Sequence, residues 1–265
     1  MEIALVNGVR ALPSPGQQGA CQVCGAPMIA KCGEQLTWHW AHKGRRRCDP
    51  WWENEGEWHR AWKKQFPEDY HEVVQHDSTG EKHIADVRLP SGQVVELQHS
   101  PMPLDEMRSR EAFYGNMVWV VDAGPFLKNI SIFDCLPDPL SPVVQDFKFV
   151  QPLPEWRTSG VIRTGFDGLM FFRRSEYTDG ELQRIYFGHR ELSDHYPSLY
   201  KGHHLFLWMK AREVWYRTTK PTFLDFGEGV VGQLMRYGPD GWCMRFQAKG
   251  ELVASLLEGT RPGAD

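Results

Sequence analysis

Two carboxylates and an amide share one face of a β-hairpin predicted for residues 83–100. At its centre, Pro90-Ser91-Gly92 suits a three-residue loop, because proline presets the first turn position and glycine accepts the left-handed third. Counting back from this loop pairs Asp86 with Glu96, and directly opposed residues share a face, with Cβ atoms about 5 Å apart. Gln98 follows Glu96 at the two-residue period of a strand, so it lies on that face as well.

Oxygen ligands of this kind are typical of a site for Mg²⁺ or Mn²⁺. Opposed like charges on a hairpin repel each other unless a cation lies between them. One interpretation is therefore that Asp86 and Glu96 bind a divalent metal. The other is that one of the two acids faces solvent and has the second as a chance neighbour.

A second candidate metal site lies nearer the N-terminus, where four of the six cysteines fall within 28 residues and beside two histidines. A Cys-x₂-Cys pair with a downstream histidine pair can supply four tetrahedral ligands to a structural Zn²⁺. The predicted ligands are Cys21, Cys24, His39 and His42. Two alternatives stay open: Cys32 or Cys48 replaces one histidine, or the thiols are merely buried and the histidines pack or face solvent.

A helix predicted over residues 49–66 carries further polar groups. Asp49 suits the N-cap, Pro50 suits the first helical position, and Pro67 ends the helix. At about 100° per residue, one stripe of this helix holds Trp51, Trp58, Trp62 and Phe66. Glu55 falls in the middle of that stripe, where a carboxylate is costly unless it is paired or binds a metal. His59 follows one turn later, so metal binding, pairing with His59 and a position at the edge of the stripe are all open for Glu55.

The elements that must position these groups follow in a simple order. Residues 70–76 predict a strand, and the hairpin supplies two more. Residues 104–114 predict a helix that Gly115-Asn116 ends, and residues 117–122 predict a short apolar strand. The order is helix, three strands, helix, strand.

This order, with the acids on the second and third strands, resembles the core of the PD-(D/E)xK, or restriction-endonuclease-like, nucleases. Roughly residues 3–122 also resemble the family of the competence protein CoiA. The motifs that carry this resemblance are Cys21-x₂-Cys24, HWAH at 39–42, Glu55-x₃-His59, ADV at 85–87, Glu96-x-Gln98-x-Ser100, Arg110-x₃-Tyr114 and VWVVD at 118–122.

The resemblance implies an α/β (α+β) fold with a restriction-endonuclease-like core and metal-dependent hydrolysis of DNA, in the processing or recombination of incoming strands. It implies that Asp86 and Glu96 hold Mg²⁺ or Mn²⁺ and that Gln98, at the usual lysine position, orients water. Glu55 and His59 would complete the metal shell through water.

Phosphate binding is assigned to basic residues near this site: Arg108, Arg110 and Lys63. A structural ion pair is an equal alternative for either arginine. Because Gln98 supplies no cation, a nucleic-acid-binding or recombination accessory protein that does not cut is the competing hypothesis. A zinc-stabilised interaction module is the third.

Composition sets the remaining expectations. The 265 residues are 41% hydrophobic and 24% charged, which is ordinary for a soluble globular protein. The N-terminus lacks a basic start and a long apolar run, so we expect no signal peptide and a cytoplasmic protein. The formal net charge is −4, so DNA would have to meet a local basic patch such as KGRRR at 43–47.

The expected domains are residues 1–48, an N-terminal hairpin and zinc-binding segment, and residues 49–123, the nuclease core. Residues 124–265 are expected to hold a loop-rich linker, to about residue 154, and then a strand-rich region that could extend the same sheet. Strands are predicted at 222–226, 230–237 and 242–247, and a helix at 250–258.

Overall fold

The protein has a mixed α+β fold in a computed structural model that describes residues 1–34, 37–44, 48–52, 55–150, 170–178, 180–238 and 241–259. The chain divides into two compact units. The first unit comprises Met1–Asp122, Glu213–Thr222 and the chain from Gly250 onward, and the second comprises Ala123–Arg212 and Phe223–Lys249. The further division of the first 123 residues into a zinc-binding segment and a core stays a prediction.

An antiparallel sheet begins the first unit. Its strands are β1 (Ala4–Val6), β2 (Val9–Ala11), β3 (Gln18–Ala20), β4 (Pro27–Lys31) and β5 (His39–His42), in the order β2-β1-β3-β4-β5. The turn between β1 and β2 consists of Asn7 and Gly8, both with positive φ, as a two-residue hairpin turn requires. A small buried cluster holds this sheet together: Met1, Ala4, Cys21, Met28 and Trp40.

The second sheet of the first unit carries the predicted site. The elements in chain order are α1 (Glu57–Lys63), β6 (His71–His76), β7 (Lys82–Arg88), β8 (Val94–Gln98), α2 (Leu104–Tyr114) and β9 (Met117–Asp122). The strands lie in the order β9-β8-β7-β6, with β8 parallel to β9 and the other neighbours antiparallel. Every residue of β8 and β9 is buried, so these strands form the centre of this layer.

The predicted hairpin register is confirmed. The Leu89 N–H donates to the Gln93 carbonyl at 2.9 Å, and Gly92 has a φ of 81°. Val87 pairs with Val95 and Arg88 with Val94, which is the register that the three-residue loop dictates. Continued by one residue, this register sets the two acids of the hairpin opposite each other.

The predicted helix start at residue 50 is wrong, because α1 begins at Glu57 after the extended N-cap Gly56. The Asp49 carboxylate does accept the Trp51 N–H, at 3.0 Å. However, it also accepts the Ile84 N–H and contacts His83 Nδ1, both at 2.9 Å. Asp49 therefore binds residues of β7 and does not cap a helix. Trp51 consequently leaves the predicted stripe and stacks on His83, with ring centroids 3.3 Å apart.

The remaining elements follow along the chain. They are β10 (Ile130–Pro137), α3 (Pro142–Gln145), β11 (Phe147–Val150), β12 (Met170–Arg173), β13 (Tyr177–Thr178), β14 (Glu181–Leu182), β15 (Tyr186–Phe187), α4 (Gly188–His195), β16 (Tyr200–Trp208), β17 (Thr222–Asp225), β18 (Val230–Tyr237), β19 (Gly241–Ala248) and α5 (Lys249–Leu257). The strands and the helix predicted beyond residue 220 are confirmed, with small differences at their ends. The predicted linker is wrong where β10 forms, because this strand pairs with β16 over most of its length.

Candidate functional site

Three thiols and one imidazole meet beside the N-terminal sheet. The ligand atoms of Cys21, Cys24, His42 and Cys48 all lie within 4.8 Å of one another. The Cys21 and Cys48 sulfurs are 3.5 Å apart, and Cys24 Sγ lies 3.5 Å from His42 Nε2. A tetrahedral site with Zn–S bonds of about 2.3 Å separates its ligand atoms by roughly 3.8 Å. The cluster therefore has the composition and the spacing that a structural zinc ion needs.

The predicted zinc ligand His39 is replaced by Cys48. Both histidines lie on β5, and residues three apart on a strand face opposite sides of the sheet. His42 faces the cysteines, whereas His39 Nδ1 contacts the Thr37 carbonyl at 2.9 Å in an exposed position. The sequence left open whether Cys32 or Cys48 replaces a histidine as ligand. Cys48 does so, and Cys32 lies outside the cluster.

The crowding of the thiols has an electrostatic consequence. Burial, followed by the hydrogen bond with Cys21, raises the pKa of Cys48 to about 12. Zinc binds the thiolate and not the thiol, so it would supply the positive charge that this packing needs.

The second site lies where α1 faces the hairpin. The ligand atoms of Glu55, His59 and Asp86 lie within 4.8 Å of one another. His59 Nε2 is buried and lies 3.0 Å from Asp86 Oδ1, without the geometry of a hydrogen bond. The other Asp86 oxygen accepts the Leu97 N–H at 2.9 Å. Two acids and one imidazole thus converge from α1, from the segment just before it and from β7.

The two hairpin acids differ in charge state. Burial, followed by the charge of Asp86, raises the pKa of Glu96 to about 8. Burial would raise the pKa of Asp86 too, but the charge of the neighbouring His59 outweighs it and lowers this pKa to about 2. Near neutral pH, Asp86 is therefore ionised while Glu96 holds a proton.

Glu96 lies outside the group of three ligand atoms that converge within 4.8 Å, and the Asp86–Glu96 ligand pair stays a prediction. One Glu96 oxygen accepts the Asp86 N–H at 3.3 Å, and the other accepts from Arg110 at 3.1 Å. Gln98 is buried beside it, and its amide nitrogen donates to the Ser100 carbonyl and hydroxyl at 3.1 and 3.2 Å.

Two predicted phosphate-binding residues are engaged inside the protein. Lys63 is buried and forms an ion pair with Glu55 and another with Glu72, at 3.3 Å from the latter. Arg110 is buried as well, and besides Glu96 it donates to the Trp51 carbonyl at 2.9 Å. Burial and saturation by acceptors exclude both side chains from direct phosphate contact in this conformation. Arg108, by contrast, is exposed on α2.

Sequence reasoning missed the roles of two buried acids. Asp49 has the local chemistry of a helix cap, and its position next to Cys48 is the sequence signal of a link to the zinc cluster. The Glu72 carboxylate accepts the N–H groups of Glu2 and Ile3, each at 2.8 Å, and so ties the N-terminus to β6. We find no sequence signal for that second role.

The acid site opens into a cleft with an empty volume of about 450 Å³, which includes space open to solvent. The lining residues are Asp49, Trp51, Trp52, Glu55, His59, Glu72, Ile84, Asp86, Glu96, Leu97, Gln98 and Arg110. Residues 45–47 of the predicted basic patch lie outside the described part of the chain.

No protein-family model, no curated protein and no solved structure significantly matches this chain. The resemblance to the CoiA family therefore stays a prediction, and the function has to be argued from the geometry. Among the described residues, no helix combines the length and the apolar character needed to cross a membrane.

Proposed function

We propose that this chain is a divalent-metal-dependent nuclease, similar to CoiA, that hydrolyses phosphodiester bonds of DNA. The observation that carries the proposal is the convergence of Glu55, His59 and Asp86 in an open cleft, with Glu96 beside Asp86. The order α1-β6-β7-β8-α2-β9 supports a restriction-endonuclease-like core, because it sets the acids on the second and third strands.

The side chains fit a divalent cation. His59 Nε2 is a buried nitrogen without a hydrogen-bond partner among the described residues, and it faces two carboxylates. Carboxylates suit both Mg²⁺ and Mn²⁺, whereas an imidazole favours the softer of the two, so we expect Mn²⁺ to bind better. A divalent ion in this place would polarise a phosphate ester and acidify a water molecule.

The residues of the chain then have separate roles. Asp86 and Glu55 supply negative charge, and the Leu97 N–H fixes the Asp86 carboxylate. Glu96, beside Asp86, holds a proton near neutral pH. It is therefore the acid that can exchange a proton with water or with a leaving group. Arg110 positions Glu96 through its hydrogen bond.

Cleavage assays test this proposal. The purified protein should cut single-stranded, duplex or branched DNA with Mn²⁺ or Mg²⁺ and stop when EDTA is added. Asp86→Asn and Glu55→Gln should abolish cleavage. Glu57→Gln, a matched change at an exposed position of α1, should leave it intact. Equal losses in Glu55→Gln and Glu57→Gln would contradict the assigned site.

The second candidate function is nucleic-acid binding without cleavage, as in an accessory protein of recombination. It is favoured by Gln98, which supplies no cation and whose amide nitrogen is occupied by Ser100. Retention of DNA without cleavage under every metal condition would support this second function. Absence of both binding and cleavage would favour an interaction module.

A further inference from the structure

We propose that a zinc ion in the cysteine cluster positions Asp86 and Glu96, the two hairpin acids of the cleft. The link is formed by residues 48–52, which we call the strap. The strap begins at a residue of the cysteine cluster and ends at the wall of the cleft. This goes beyond a zinc ion that merely stabilises the N-terminal sheet.

The first arm of the strap reaches the strand of Asp86. Asp49 follows Cys48 directly in the chain and is buried. One of its oxygens accepts the Ile84 N–H at 2.9 Å, and the other contacts His83 Nδ1 at 2.9 Å. Ile84 lies two residues before Asp86 on β7. The position of Asp49 therefore fixes the position of β7, and with it Asp86, relative to the cleft.

The second arm reaches Glu96. The Trp51 carbonyl accepts from Arg110 Nη2 at 2.9 Å, and the guanidinium carbon lies 5.6 Å from the centroid of the Trp51 ring. The same guanidinium donates to Glu96 Oε2 at 3.1 Å through Nη1. The planar Arg110 guanidinium thus joins the strap to Glu96. Because this group is rigid, the position of Trp51 determines the position of Glu96.

The strap depends on its anchors, because residues 48–52 form neither a helix nor a strand. At its N-terminal end, Cys48 contacts Cys21 at 3.5 Å, and thiol contacts of this kind are weak. A metal ion would replace them with short bonds in a fixed geometry. Loss of the ion should therefore loosen the strap first, then the Ile84 amide and the Arg110–Glu96 contact.

Amide hydrogen exchange on the full chain tests the coupling. The protein is compared without metal and with one equivalent of Cd²⁺, whose thiolate absorption reports filling of the cysteine cluster. Emptying the cluster should accelerate exchange of the Trp51 and Ile84 N–H groups, both bound to Asp49, by about tenfold or more. Exchange in β9 should stay unchanged.

Variants supply the controls. Cys24→Ser breaks the cluster without altering the strap and should reproduce the acceleration in the presence of Cd²⁺. Cys32→Ser removes a thiol outside the cluster and should behave as the parent. Unchanged exchange at Trp51 and Ile84 after the cluster is emptied would overturn the proposal. Loss of protection throughout β9 would overturn it as well, because zinc would then stabilise the whole unit.

A Mn²⁺ titration connects the result to the cleft, and this step rests on the proposed function. Cys24→Ser should bind Mn²⁺ about tenfold more weakly than Cys32→Ser, since its acids are less well positioned. If the metal-loaded parent does not bind Mn²⁺ at all, the proposed function fails. The exchange experiment still decides the role of the strap in that case.

Discussion

At the scale of single residues, the two hairpin acids are opposed but not equivalent. Asp86 gains the charge of His59, whereas Glu96 is surrounded by buried groups and faces the charge of Asp86. The repulsion expected from the sequence is therefore relieved by a proton on Glu96. A divalent metal would compete with this proton, since carboxylates bind metals in their ionised form.

The raised pKa of Glu96 predicts how stability depends on pH in the metal-free protein. Between the ordinary glutamate pKa of 4.5 and about 8, the folded state holds a proton that the unfolded state has lost. The free energy of unfolding should therefore fall as pH rises through this window. Glu96→Gln removes this contribution. As pH rises across the window, the free energy of unfolding of the variant should therefore increase relative to that of the parent by more than about 1 kcal/mol. Urea unfolding at a series of pH values measures the difference.

Asp86→Asn is the control for this prediction. It removes the charge that helps to raise the pKa values of both Glu96 and His59, so it should flatten the slope in this window in part. The stabilising effect of the lowered pKa of Asp86 is lost only as pH falls from 3.8 towards about 2, outside the window. Parallel curves for the parent and Glu96→Gln would show that Glu96 is ionised in the folded protein.

At the scale of elements, local rules predicted the hairpin and failed for the first helix. The Pro90-Ser91-Gly92 loop sets the hairpin register within three residues, so counting was sufficient. Asp49 has local helix-start chemistry, but its decisive partners are His83 and Ile84, 34 and 35 residues away. No local pattern reports such partners, and the same holds for Glu72 and the N-terminus.

The zinc ligands show the same limit. Spacing predicts four candidate ligands, but the side that each histidine faces depends on β5 being extended. That conformation arises from pairing with β4, a tertiary interaction. The sequence offers Cys48 only as an alternative ligand, because the distance along the chain does not show where a loop returns.

Because the two histidines of β5 face opposite sides of the sheet, we predict different effects when each is replaced. His42→Ala should lose most of the zinc, because a ligand is removed, whereas His39→Ala should retain about one zinc ion per chain. Elemental analysis of protein purified without chelators measures both. Cys48→Ser should resemble His42→Ala, and Cys32→Ser should resemble His39→Ala. Equal zinc loss in both histidine variants would show that β5 does not orient them as described.

At the scale of the whole molecule, charge argues against a broad DNA-binding surface. The formal net charge is −4, and residues 1–150 carry 15 basic and 20 acidic side chains. The cleft itself is lined by acids, while Lys63 is buried in an ion pair with Glu72 and Arg110 in one with Glu106. A phosphate that approaches this cleft without a cation would meet mainly repulsion.

We therefore predict that DNA binding requires a divalent ion and depends only weakly on salt. An oligonucleotide should bind in Ca²⁺, which suits oxygen ligands, and should not bind in EDTA. Its affinity should fall by no more than roughly 20-fold between about 50 and 200 mM salt, as expected for about three phosphate contacts on a single strand. Fluorescence anisotropy of a labelled strand measures both effects.

Arg108→Ala provides the residue-level check on that binding. Arg108 is exposed on α2, so its removal should weaken binding and make the salt slope shallower by about 0.7. Lys128→Ala, at an exposed lysine of the second unit, should change neither quantity. Tight binding in EDTA with a steep salt dependence would contradict the prediction, because DNA would then be held by a basic surface such as residues 43–47 and not by a metal in the cleft.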